Sequence, residues 1–187
     1  GWRRDLPKAQ LCFILICYPF VMSLETLAYQ VRNTLASARR VCFAIHANPD
    51  PDAVGSGAAL ARFCVERGKS CVIYCSTDSD LARQYAPARV DFVCDAGRLP
   101  QDIDVLVALD GGDEIFSGAA SVRAALAARP TVINIDHHKT NTRYGDCNVI
   151  IPGAASTTQI VFHLFKIWRS RVSRDMAECL LMGLLTD

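Results

Sequence analysis

Three side chains able to hold a cation fall within seven residues of "HANPDPDAVGS": His46, Asp50 and Asp52. Asp110 closes the run "IDVLVALD", and Asp136, His137 and His138 close "TVINIDHH". Carboxylates with a minority of imidazoles suit Mn²⁺ or Mg²⁺, whereas thiolates would favour zinc, and no cysteine falls in these stretches. Several carboxylates packed together repel one another without cations between them. Two divalent ions about 4 Å apart can activate a water and clamp a phosphoryl group, which is the layout of a hydrolase.

Each stretch alone has a plainer reading. "NPDPD" suits a turn followed by a helix N-cap. Asp110 before Gly111 and Gly112 suits a turn, and "DHH" suits a solvated loop. The fourth histidine, His163 in "IVFHLF", is expected to be a partly buried packing residue on a helix. The argument rests on the three polar stretches taken together, because each ends a segment that reads as a strand.

Those segments are short and apolar. Val41–His46, Ser70–Cys75, Ile103–Asp110 and Thr131–Asp136 read as buried strands, with weaker ones at Asp91–Val93 and Asn148–Ile151. Helical spacing is expected from a Ser23 cap through "LETLAYQVRNTLASARR", over Ala53–Gly68, near Asp78–Tyr85, and over Ser121–Pro130 with the proline as stop. "STTQIVFHLFKIW" and "SRDMAECLLMGLLTD" read as two further helices. Alternation of this kind predicts an α/β fold: an open, mainly parallel sheet with helices on both faces. In such sheets ligands bind outside the carboxyl ends of the strands, where His46, Asp110 and Asp136–His138 all fall.

Composition narrows the field further. A formal net charge of +1 provides no basic field, so a groove for long nucleic acid is not expected. The nine scattered cysteines lie mostly in apolar runs, such as those around Cys42, Cys64 and Cys179, and read as reduced thiols of a cytoplasmic protein. "LCFILICYPFVM" (Leu11–Met22) is too short for an ordinary membrane span. Residues 1–21 are expected to be an upstream extension before a start at Met22, with one domain over 22–187; a membrane tether through Leu11–Met22 is the minor alternative. The last helix stops on Asp187 without a C-cap, as though the chain were cut there.

"HANPDPDAVGS", the "LD" at Asp110, "IDHH" at Asp136–His138 and "GLLTD" at Asp187 occur in the order of the DHH phosphoesterase family, which the chain resembles from about Ser23 to Asp187. The compact spacing, the leading helix, "NIDHHKTN" and "GAASTTQIVF" are most similar to the branch of bacterial nanoRNases that also dephosphorylate 3′-phosphoadenosine 5′-phosphate (pAp). The resemblance implies two divalent ions, Mn²⁺ first and Mg²⁺ or Co²⁺ as substitutes. It implies one ion on His46, Asp50 and Asp110, and another on Asp52, Asp110, His137 and Asp187, with Asp110 bridging. His138 would face the scissile phosphate, and Asp136 would orient a histidine. Gly55 and Ser56 would begin a helix and offer backbone donors, while Ser156 and Thr157 would cap another. The substrates implied are short RNA or nucleotides, with a homodimer left open.

Inorganic pyrophosphatases, exopolyphosphatases and cyclic-dinucleotide phosphodiesterases of the same family are the alternatives, as is a non-catalytic regulatory domain. Two departures stand out. The second, substrate-binding domain of the family has no counterpart before Asp187, so this chain is expected to hold metal and hydrolyse little alone. "DGGDEIF" also lacks the arginine expected soon after Asp110. Its likeness to the "GGDEF" signature of diguanylate cyclases is read as coincidence, because that signature belongs to a β-hairpin of another fold.

Overall fold

In a computed structural model that describes residues 22–187, the first helix begins where its sequence signal lies. The Ser23 hydroxyl accepts the Thr26 N–H at 3.2 Å and caps α1 (Leu24–Ser37). Then follow β1 (Arg40–Ile45), α2 (Pro51–Val65), β2 (Ser70–Tyr74), α3 (Asp80–Tyr85), β3 (Asp91–Val93) and a 3₁₀ turn, Ala96–Arg98. The second half holds β4 (Val105–Leu109), α4 (Ala119–Ala125), β5 (Thr131–Asp136), β6 (Cys147–Ile150), α5 (Thr157–Ile167) and α6 (Arg174–Thr186).

The six strands form one sheet in the order β3-β2-β1-β4-β5-β6, and every pairing is parallel. Strand residues alternate between two cores, as the period of two requires. Val41, Phe43, Ile45, Val107, Leu109, Ile133 and Ile135 face the larger core, shared with α1, α2, α5 and α6. Cys42, Ala44, Val72, Leu106, Ala108 and Val132 face a smaller one, closed by Ala119 and Val122 of α4. Helices thus cover both faces, with the thicker layer on one side.

The topology itself selects a site. The chain winds outward from β1 to β3, returns to β4 beside β1, and winds outward again to β6. The reversal between β1 and β4 leaves a crevice at their carboxyl ends. Register then sets the level: Ile45 pairs with Leu109, and Leu109 pairs with Ile135. The next residues, His46, Asp110 and Asp136, therefore stand abreast on three adjacent strands.

Three expectations need correction or placement. The helix expected over Ser121–Pro130 is α4, which starts two residues earlier and ends five before the proline. Leu126 turns extended and buries itself in the smaller core. Gln101 fixes that exit, donating to the Ala125 carbonyl at 3.1 Å and accepting the Ala127 N–H at 3.0 Å. His163 is exposed on α5 rather than packed, because the core-facing positions of that helix are Ile160, Val161, Leu164 and Phe165. Residues 1–21, with most of the apolar Leu11–Met22 run, lie outside the described residues.

The described cysteines are all unpaired, and all but Cys94 are buried. Burial pushes the Cys42 thiol far up, and a hydrogen bond with Cys71, then burial, raises that of Cys64, so neither offers a thiolate. Among the described residues no helix is long and apolar enough to cross a membrane.

Candidate active site

Asp50 serves the backbone and the site at once. As the N-cap of α2, its Oδ1 accepts the N–H groups of Asp52 at 3.0 Å and Ala53 at 2.9 Å. Its Oδ2 remains free and lies 3.8 Å from His46 Nε2. His46 leaves the end of β1 with Nδ1 held 2.9 Å from the Ala47 carbonyl oxygen. That contact turns Nε2 inward, where the Asp110 carboxylate lies 3.9 Å away.

Asp110 follows β4 with φ at 55°, in the left-handed region that non-glycine residues seldom occupy. Such strain persists where surrounding structure imposes it, and it gathers at functional sites. Here it starts the turn into Gly111, whose own Cβ, if present, would lie 2.4 Å from Ser117 Cβ. Asp110 is only 2% exposed and accepts a hydrogen bond from the Thr157 hydroxyl at 2.9 Å.

Asp52 sits one residue into the first turn of α2 and is buried. Its two oxygens accept the N–H groups of Thr157 at 2.6 Å and Thr158 at 2.8 Å. An anion at a helix N-terminus is favoured by the unpaired donors and the helix dipole. Asp52 thereby ties α2 to α5. The helix α6 closes the site from the same side, because Gly55 and Gly183 lack side chains. A Cβ on Gly55 would lie 2.4 Å from the Cys179 carbonyl oxygen, and one on Gly183 would lie 2.5 Å from Thr158 Cγ2 and 2.7 Å from Asp52 Oδ1. This close approach brings Asp187, at the end of α6, to 3.4 Å from His137 Nε2.

The three residues after Ile135 divide their tasks. Asp136 is fully buried, and its Oδ1 accepts the N–H groups of His137 at 2.8 Å and His138 at 3.2 Å. The same oxygen lies 2.6 Å from His138 Nδ1, and Oδ2 accepts from Asn141 Nδ2 at 2.6 Å. With Nδ1 engaged, His138 keeps Nε2 for whatever occupies the mouth of the crevice. His137 places Nδ1 3.4 Å from the Ala154 carbonyl oxygen and Nε2 3.5 Å from Asp110 Oδ1. That Nε2 is buried and has no hydrogen-bond partner.

The charges crowd. Burial first, and then the Asp52 charge, push Asp110 up to about 7, against the pull of the Thr157 hydroxyl. Burial also raises Asp52, outweighing its two backbone donors, with Asp187 adding repulsion. Asp50 is held low by His46 beside it. His46 and His138 are both raised: burial pulls them down, but the Asp50 carboxylate and the Asp136 carboxylate respectively win.

The donor set fits divalent ions. His46, Asp50 and Asp110 converge, as do Asp52, His137 and Asp187, each trio with donor atoms within 4.8 Å of one another. Donors around one ion with bonds of about 2.1 Å stand roughly 3–3.5 Å apart, at or beyond the long end of a hydrogen bond and suited to shared coordination. The unpartnered His137 Nε2, 3.5 and 3.4 Å from two carboxylates, has that spacing. A third trio joins Asp110 and His137 with His138. In that trio His138 Nδ1 lies 3.8 Å from Asp110 Oδ1 but only 2.6 Å from Asp136 Oδ1, and the ring is partly exposed.

The residues expected from the motifs, His46, Asp50, Asp52, Asp110, His137, His138 and Asp187, therefore do meet in one crevice, with Asp136 behind His138. Of four secondary expectations, three differ. Gly55 and Ser56 do not begin a helix: α2 begins at Pro51, Gly55 presses against α6, and the buried Ser56 hydroxyl donates to the Ala53 carbonyl at 3.1 Å. Ser156 does cap α5, accepting the Gln159 N–H at 3.1 Å. Thr157 instead contacts the site through both its N–H and its hydroxyl.

Thr158, Asn141 and Phe116 escaped sequence reasoning. The Phe116 ring stacks on the His46 imidazole with centroids 4.9 Å apart and planes inclined by 19°. It belongs to "GGDEIF", which forms no hairpin. The Asp113 carboxylate accepts the N–H groups of Ile115 and Phe116, both at 2.8 Å, and Glu114 pairs with Arg123.

Comparison with known proteins identifies the family and the fold. The profile of the DHH family, N-terminal domain, matches residues 40–184. The bifunctional oligoribonuclease and PAP phosphatase NrnA of Thermus thermophilus is 33% identical over 147 residues, covering 79% of this chain and 43% of that protein. The chain thus spans less than half the length of that curated relative. An exopolyphosphatase-related protein from Bacteroides fragilis has the same fold at a TM-score of 0.75 and 22% identity, over 90% of this chain and 52% of that one. RecJ from Thermus thermophilus, solved in complex with Mn²⁺, aligns at a TM-score of 0.50 and 16% identity, over 84% of this chain and 23% of its own.

Proposed function

This chain belongs to the DHH family, and on that premise we propose that it is a Mn²⁺-dependent phosphoesterase acting on short oligoribonucleotides and pAp. The observation that carries the reading is the buried, unpartnered His137 Nε2 set between the carboxylates of Asp110 and Asp187. A hydrogen-bonding imidazole would leave no such orphan, and an unpaired buried polar atom is costly. The substrate class is taken from the bifunctional relative.

In this reading His46, Asp50 and Asp110 would hold one ion, and Asp52, Asp110, His137 and Asp187 would hold the other. Two such ions supply an activated water and charge neutralisation for in-line attack on phosphorus. The chain's own residues arrange the rest. Asp50 and Asp52 are fixed by helix N-termini, and the left-handed turn at Asp110 aims its carboxylate at both trios. Asp136 holds His138 by Nδ1, so that Nε2 meets the phosphate and stabilises charge developing there. A net charge near zero suits a substrate held by a local site rather than by a long basic groove.

The test is release of phosphate and nucleotide by the full-length protein in Mn²⁺ from pAp, a short RNA, pyrophosphate and a cyclic dinucleotide. Cleavage of pAp and the short RNA is expected. Turnover of pyrophosphate or the cyclic dinucleotide alone would move the protein to another branch of the family.

A further inference from the structure

Beside the crevice stands an aromatic surface that the metal cluster does not use. Phe116 is 53% exposed and Ile115 is 83% exposed, beside a polar site. One face of the Phe116 ring is occupied by His46. With Asp113, Thr142, Tyr144 and Glu114, the last paired with Arg123, these residues line an open cleft of about 530 Å³.

The wall is built, not loose. Asp113 ties down the Ile115 and Phe116 N–H groups. The Ser117 N–H donates to the Asp113 carbonyl at 3.1 Å, and the Gly118 N–H to the Ile115 carbonyl at 3.1 Å. From the other side, the Thr142 N–H donates to the Gly112 carbonyl at 2.9 Å. The segment Gly111–Ser117 also carries no arginine or lysine, so it offers a phosphate no cation. Its chemistry is that of a flat apolar surface held next to a phosphate-directed site.

We propose that Phe116, flanked by Ile115, is the platform on which a substrate nucleobase stacks while its phosphate lies at His138 and the acidic cluster. The proposal rests on the phosphoester reading above and names how that site would prefer nucleotides over base-free phosphates. Stacking on an aromatic ring tolerates any base, so the platform gives selectivity for a nucleotide without sequence preference. Phe116 does not touch the reacting atoms; it is a specificity-determining residue.

The test compares binding of AMP and of ribose 5-phosphate to the Mn²⁺-loaded protein by calorimetry, which needs no turnover. Wild-type protein is expected to favour AMP. Phe116→Ala should weaken AMP by about 5- to 100-fold, leave ribose 5-phosphate within about twofold, and leave Mn²⁺ stoichiometry unchanged. Phe116→Trp should keep the preference. Equal binding of both ligands by the wild type would overturn the platform alone. So would an equal loss of both in Phe116→Ala, since that is what a ring merely steadying His46 would give. Failure of the wild type to bind either ligand would instead remove the phosphoester reading on which the platform rests.

Discussion

Asp110 Oδ1 lies 3.5 Å from His137 Nε2, and the nitrogen, though buried, makes no hydrogen bond. On its other side, the Asp110 carboxylate lies 3.9 Å from His46 Nε2. The residue thus stands between two donor trios, while Asp136, one strand over and level with it, belongs to neither trio and instead holds the His137 N–H and the His138 ring.

That contrast predicts unequal variants. Asp110→Asn should reduce kcat/KM on the preferred substrate by about 10³-fold or more. Asp136→Asn should cost about 10- to 100-fold, the usual effect of losing a residue that orients another. Mn²⁺ stoichiometry should drop for the first and hold for the second. Equal, mild losses would contradict the bridging position of Asp110.

A buried carboxylate raised to about 7 also makes a prediction about the metal-free protein. The folded value lies above the unfolded one, about 3.9, so the folded state holds the proton more tightly. Stability from this group is complete below about pH 4 and is lost as pH rises through about 7. In EDTA, Asp110→Asn should therefore gain on wild type between pH 5 and pH 8 in urea melts. Added Mn²⁺ at pH 8 should reverse the order, since the ion binds only the carboxylate form. A stability gap that does not change with pH would contradict the burial argument.

The first half of the site was legible because strand ends are easy to read. Continuous apolar runs ending in His46, Asp110 and Asp136 place those residues at one sheet edge as soon as the strands are taken as parallel. Asp50 was legible twice over, as a helix cap and as a ligand, and the structure uses it as a cap with one oxygen to spare. Thr157 was misread as a cap because sequence shows local spacing, and its partners Asp52 and Asp110 are 105 and 47 residues away. Gly55 was misread for a similar reason: its function is the approach of α6, which no local pattern reports. Pro130 misplaced the end of α4 because burial of Leu126 ended that helix first.

Thr157 itself should be tested by Thr157→Val. The substitution keeps the shape and the N–H to Asp52 but deletes the hydroxyl that donates to Asp110. Without that donor the Asp110 carboxylate is less favoured, so its pKa should rise further. The acid limb of the pH–rate profile should move to higher pH, with Mn²⁺ affinity falling several-fold near pH 7. An unchanged profile would count against the contact.

Gly183 sets how closely α6 approaches. Gly183→Ala would place a methyl against Thr158 and the Asp52 carboxylate, at a cost of about 1–3 kcal/mol. The trio of Asp52, His137 and Asp187 should loosen while that of His46, Asp50 and Asp110 persists. Dialysis against Mn²⁺ should then find one tight ion and one weakened ion. Equal weakening of both would mean that α6 supports the whole site rather than one half.

The most direct measurement is the number of Mn²⁺ ions bound per folded chain at pH 8, by equilibrium dialysis with and without His137→Ala. Two ions on the wild type and one on the variant are expected. One ion or none on an intact, folded wild-type chain would contradict the two-metal site.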